Sequence, residues 1–291
     1  MEREYTLGLY EKSMPSDLSW EQKMLSAKAA GFDYIEISID ETDAKLARLD
    51  MSKEERLELV RRRMTTGVPI RSMCLSGHRK YPLGSNDPEV EKRGMEIMEK
   101  AIQLAEDLGI RIIQLAGYDV YYEESSFETK KRFLKNLKKA THMAEKAGVV
   151  LGFETMETEF MNTVEKAMKY TTLVDSPYLN VYPDIGNITN AAIEYKNDVL
   201  EDMMIGKGHL CAMHLKETVP GKFREIPFGS GHVNFKEAIA LAWQLGIRKY
   251  VTEFWYVGNE NWKEDLVFAH DMFEKMLDEQ MTRKDEKNVE S

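Results

Sequence analysis

Along this chain an amphipathic stretch, a glycine and a short apolar run follow one another again and again. The order appears at KAAGFDYIEIS, TTGVPIRSMCL and EDLGIRIIQLAG, and returns at EKAGVVLGFE and WQLGIRKYVTEF. Gly31, Gly67, Gly109, Gly148 and Gly246 fall where a helix C-terminus calls for a left-handed residue. Each following run is apolar with little alternation, the pattern of a strand covered on both faces. Leu7–Tyr10, Leu179–Tyr182 and Leu210–His214 bring the expected strands to eight. Helical periodicity fills the intervals, as at Glu54–Thr65, Asp87–Leu108 and Phe127–Ala147. Eight strands alternating with helices, with no linker rich in Pro, Gly or Ser, predict one α/β unit, a (β/α)8 TIM barrel over residues 1–280. A doubly wound open sheet is the alternative. It would usually carry fewer parallel strands for this length, and no GxGxxG follows the first strand.

Composition narrows the picture. A length of 291 residues suits a barrel, which needs roughly 250. The formal net charge of −10 argues against nucleic acid as a partner. No apolar run approaches the roughly 20 residues of a membrane span, and MEREYTLGLYEK lacks the features of a signal peptide. Cys74 and Cys211 each sit in an apolar run and are expected to be reduced core residues of a cytoplasmic protein. Residues 281–291, MTRKDEKNVES, are charged and expected to form a frayed tail.

In a barrel the chemistry collects where strands end and βα loops begin. YIEIS leads to Glu36, Asp40 and Glu41, and LSGHRK supplies His78 and Arg79. The next ends are richer: Glu154 closes GFE, Asp184 follows VYP, His214 ends the seventh run, and Glu253 follows VT. Each has an ordinary reading. Glu154 could cap a helix, VYPDIGN could be a turn, His214 could be a hydrogen-bonded core histidine, and Glu253 could be a half-buried acid paired to a base. Burying several acids together without a cation costs several kcal/mol per ion, however, and one metal relieves all of them. Two glutamates, an aspartate and a histidine suit one divalent ion among Zn, Mn, Mg and Co.

The segments SMCLSGHRKYPLGS, IRIIQLAGYDVYYEE, VYPDIGN, HLKET and VPGKFREIPFGSG resemble the L-ribulose-5-phosphate 3-epimerases, also called L-xylulose-5-phosphate 3-epimerases. These belong to the xylose-isomerase-like barrels. The resemblance runs from about Tyr5 to Trp255 and implies a metal held by Glu154, Asp184, His214 and Glu253, with Zn or Mn favoured. The chain departs from the pattern after strand 8, where Phe254–Gly258 is aromatic and borders the pocket.

Such an epimerase removes the C3 proton of a pentulose 5-phosphate and returns one to the opposite face, so it needs two acid–base groups. Glu154 and Glu253, on strands that approach the axis from different sides, are expected to fill those roles. Asn187, His78 and Glu157 are expected at the sugar. Lys216, Lys222, Arg224 and the GSG segment with Gly229 and Ser230 are expected at the phosphate. The expected partner is a small sugar phosphate, and the expected assembly a homodimer. Rival readings are an aldose–ketose isomerase recruiting Asp40, Glu41 and Glu157 to a second metal, an epimerase of an unphosphorylated ketose, a metal-dependent phosphodiesterase, and a sugar-phosphate binding module.

Overall fold

The computed structural model describes residues 3–289, with side chains as far as Thr282. Eight parallel strands alternate with helices. They are β1 (Thr6–Tyr10), β2 (Tyr34–Ile39), β3 (Ile70–Leu75), β4 (Ile112–Ala116), β5 (Val150–Glu154), β6 (Leu179–Tyr182), β7 (Met213–Leu215) and β8 (Lys249–Thr252). Their order round the sheet is β6-β5-β4-β3-β2-β1-β8-β7. Between β6 and β7 the ring is joined by single bridges, Val181 with Leu210 and Asp184 with His214. The seventh strand is therefore shorter than the expected Leu210–His214, because Leu210 meets its neighbour only at an isolated bridge.

The left-handed glycines are where the sequence puts them. Gly67, Gly109 and Gly148 end the helices Lys53–Thr66, Pro88–Leu108 and Phe127–Ala147 with φ of 82°, 73° and 64°. Such a cap returns the chain sharply toward the next strand. The helices also start on side-chain caps; Ser52 and Ser126 each close a capping box. The main apolar core lies between helices and strands, with Ile35, Ile37, Ile113, Leu151 and Val181 fully buried. Both cysteines are free, Cys74 in the barrel interior and Cys211 partly buried. Among the described residues no helix is long and apolar enough to cross a membrane.

The final helix, Trp262–Val289, continues into the charged stretch expected as a tail. Residues 290–291, and the side chains beyond 282, lie outside what the structure describes.

Candidate metal centre

VYPDIGN is both a helix start and a ligand platform. Pro183 follows β6, and Asp184 caps the helix Ile185–Tyr195, its Oδ1 accepting from Asn187 N at 2.7 Å. Its Oδ2 faces Lys216 Nζ at 2.8 Å and His214 Nδ1 at 3.9 Å. His214 N donates to Pro183 O at 3.0 Å, so the bridge joining β6 to β7 also sets Asp184 against His214. Glu154 closes β5, and Glu253 follows β8, its N–H donating to Leu215 O. Four strand ends thus bring Glu154, Asp184, His214 and Glu253 together, all buried, with one ligand atom of each within 4.8 Å of the others.

His214 shows how the group is oriented. Its Nδ1 lies 2.9 Å from Glu253 Oε2, 3.3 Å from Glu154 Oε1 and 3.9 Å from Asp184 Oδ2. Its Nε2 points the other way, 2.6 Å from Glu36 Oε1. Glu36 is fully buried and accepts from Tyr182 Oη at 3.2 Å on its other oxygen. A carboxylate on one imidazole nitrogen fixes the tautomer that presents the other nitrogen's lone pair to a metal. Glu36 would thereby leave Nδ1 as the nitrogen available to a metal. In the sequence Glu36 is an acid of strand 2 with no visible role, since its partner is 178 positions away.

The electrostatics fit a cation. Burial, then the Glu253 charge, raises the Glu154 carboxyl. Burial likewise pushes Asp184 well above the usual carboxylate range. Glu253 is held low, because Lys216 and His214 outweigh its burial. His214 is held well above the ordinary histidine value; burial opposes its charge, and Glu36 and Glu253 overcome that. Asp184 Oδ2 and Glu253 Oε2 are buried without a well-aligned donor, although Lys216 Nζ is 2.8 Å from the first and His214 Nδ1 2.9 Å from the second. Three carboxylates and an imidazole converging on one point form a donor set that one divalent ion would satisfy.

A cleft above this group is lined by Asn187, Glu157, Lys216 and Arg224 together with Lys12, Arg79 and Trp255. Lys216 is nearly buried and reaches into the carboxylate group rather than out to the rim. Glu157 sits between Arg79 at 3.6 Å and Arg224 at 3.4 Å, and accepts from Tyr118 Oη at 2.7 Å. Asn187 Nδ2 is spent on Thr155 O at 2.7 Å, while its buried Oδ1 has no partner. Lys12 had no part in the expected site, and Trp255 was expected there only as part of the aromatic stretch bordering the pocket. The aromatic stretch after strand 8 was the only signal for Trp255.

Four expected contacts, His78, Lys222, Gly229 and Ser230, lie outside the cleft lining. His78 is buried, its Nε2 3.0 Å from Gly94 O. Gly229 and Ser230 form no anion cradle there. The Gly229 amide donates to Glu217 Oε2 at 3.0 Å, and Ser230 Oγ turns back to Pro227 O at 2.6 Å. The acids considered for a second metal are engaged elsewhere as well. Asp40 pairs with Lys12 at 2.5 Å and Glu41 accepts from Tyr122 Oη at 3.0 Å.

Comparison with known proteins agrees with this architecture. The family profile of the xylose isomerase-like TIM barrels matches residues 25–272. L-ribulose-5-phosphate 3-epimerase UlaE from Salmonella choleraesuis (strain SC-B67) is 45% identical over 93% of this chain and 94% of its own. The same-named protein of Shigella sonnei (strain Ss046) is 44% identical over the same shares. Among solved structures, a D-tagatose 3-epimerase-like protein superposes with a TM-score of 0.78 at 18% identity, covering 96% of this chain and 99% of the other. An L-ribulose 3-epimerase gives 0.77 at 18% identity, covering 99% and 98%. At 18% these two share the fold. With its barrel, its four converging side chains and curated relatives alike across nearly the full length, the chain belongs to the L-ribulose-5-phosphate 3-epimerase family of the xylose isomerase-like TIM barrels.

Proposed function

We propose that the protein interconverts L-ribulose 5-phosphate and L-xylulose 5-phosphate by inverting C3 through an enediolate. The observation that carries this reading is the convergence of Glu154, Asp184, His214 and Glu253 at the floor of a cleft with basic walls. One divalent ion held by these four would polarise the C2 carbonyl and stabilise the charge left when the C3 proton departs. Glu154 and Glu253 end strands from different sides of the ring. One carboxylate takes the C3 proton, and the other returns a proton to the opposite face; the roles exchange with reaction direction. Asp184 and His214 hold position, and Lys216 offsets the carboxylate charge beside them.

Asn187 Oδ1 and the Glu157 carboxylate are suited to sugar hydroxyls, and Arg224 with Arg79 to the phosphate. The basic cleft in an acidic protein supports a phosphorylated substrate over a neutral ketose. Zn or Mn is the ion most compatible with an imidazole among carboxylates. Exposed Tyr122 and Phe127 support a homodimer, and two free cysteines a cytoplasmic setting.

Incubating L-ribulose 5-phosphate with metal-replete enzyme in deuterated water, followed by NMR, tests the reading. Interconversion with deuterium appearing at C3, abolished by Glu154→Gln or by Glu253→Gln, is the expected result. Conversion without deuterium would point to a hydride shift, and absence of both conversion and exchange would overturn the substrate assignment.

A further inference from the structure

The end of the barrel opposite the metal centre holds a second cavity, of about 280 Å³, at the amino ends of the strands. Its inner wall is apolar and aromatic, built from Tyr34, Tyr182 and Ile112. Both tyrosine hydroxyls are engaged, Tyr34 with Tyr250 O at 3.0 Å and Tyr182 with Glu36 at 3.2 Å. The rings therefore present hydrocarbon to the cavity rather than polar atoms. Its mouth carries three cations, Arg71, Arg111 and Lys249. Among the described residues none of the three has a carboxylate or hydrogen-bond partner for its side chain. Three unpaired cations converging on one opening are unexpected in a chain of net charge −10, where acids are plentiful.

Ser72 supplies an independent sign of a ligand. It lines the same cavity, is 3% exposed, and its hydroxyl has no hydrogen-bond partner. Buried polar groups are nearly always satisfied, and an orphan calls for a missing partner. One rung further in, on the β4 residue paired with Cys74, the fully buried amide of Gln114 is also without partners.

We infer that this cavity is a binding site for a small organic anion, distinct from the metal cleft. The apolar body of the ligand rests on the Tyr34 and Tyr182 rings. Its carboxylate or phosphate faces Arg71, Arg111 and Lys249, and a polar atom reaches the Ser72 hydroxyl. Planar guanidinium groups suit either anion. The volume, at the lower edge of the usual range for drug-sized ligands of about 300–1,000 Å³, calls for a compact molecule.

Benzoate, phenyl phosphate and neutral benzamide, titrated calorimetrically into the full-length protein, provide the test. Saturable binding of at least one anionic probe, at least about tenfold tighter than benzamide, is expected. Arg111→Ala and Lys249→Ala should each weaken it by about tenfold while leaving epimerase turnover unchanged. Both side chains are exposed, so the variants should fold, and an unchanged melting temperature verifies that. Ser72→Val should weaken binding without altering its salt dependence. Inorganic phosphate as a further titrant distinguishes the sources. Binding as tight as that of phenyl phosphate would show that the apolar wall contributes nothing, which contradicts the inference. Failure of every probe to bind, equal affinity for benzamide, or binding indifferent to all three substitutions would each overturn it.

Discussion

Glu36 and His78 are both buried groups at the top of the barrel, and they show how far a side chain's partner decides its task. Glu36 lies 2.6 Å from His214 Nε2 and so would leave Nδ1 to a metal. Replacing Glu36 with Gln keeps the shape but removes the charge that fixes the tautomer. Metal affinity, measured by calorimetry or competition with a chromophoric chelator, should fall about 10–100-fold; undiminished affinity would show that Glu36 does not orient the ligand. His78 has only the Gly94 carbonyl, and burial lowers its pKa to about 4. An unfolded histidine titrates near about 6.5, so between these values the unfolded chain binds the extra proton and stability falls as pH falls. The loss from this residue should total about 3 kcal/mol between pH 7 and pH 4. Urea melts across that range should show the slope in the native protein and its reduction in His78→Gln. Parallel slopes would remove His78 as the cause. Neither role was legible in the sequence, because what an acid within a strand or a loop histidine does depends on a partner far along the chain.

Between elements, Glu11 joins parts of the fold that strand periodicity does not describe. It follows β1 at 1% exposure and meets Lys23, Lys45 and Arg48 at 2.6–2.7 Å. Those partners belong to the helix Trp20–Ala29 and to the segment after β2, so one carboxylate fastens two βα connections beneath the cleft. Burial opposes its ionisation, but Arg48, Lys45 and Lys23 hold the carboxyl well below the ordinary range. A depressed carboxyl contributes stability above the unfolded-state value of about 4.3 and loses it as pH falls further. Glu11→Gln strands three cations and should cost about 3–5 kcal/mol, read from the denaturation midpoint at neutral pH. A change within experimental scatter would mean that solvent already screens the cluster. The helices and strands themselves were legible because apolar runs and helix-ending glycines are local signals. Phe127–Ala147 has the expected ends, whereas β7 begins later than expected because at the seam, a tertiary property, Leu210 meets β6 only at an isolated bridge. The loop after β7 misled for the same reason. Glu217 accepts from the amides of Thr218, Gly229 and Val233 and thereby uses up the segment that resembles an anion cradle.

For the molecule as a whole, closure of the ring brings together what 291 residues keep apart. Strands β5 to β8 deliver one donor each, and the bridge between Asp184 and His214 lies on the seam where β6 meets β7. The four donors were legible because each ends an apolar run, and barrel topology turns strand ends into neighbours. The cavity at the opposite end was not, since most of its lining comes from strand starts that carry no shared motif. At the junction of β5 to β8 one cation would be gripped by Glu154, Asp184, Glu253 and His214 Nδ1. Crystals grown with Mn²⁺, measured at a wavelength where manganese scatters anomalously, test it most directly. One peak about 2.0–2.2 Å from an oxygen of each carboxylate and from His214 Nδ1 is the predicted result. A peak elsewhere, or none at this group in a manganese-saturated crystal, would contradict it.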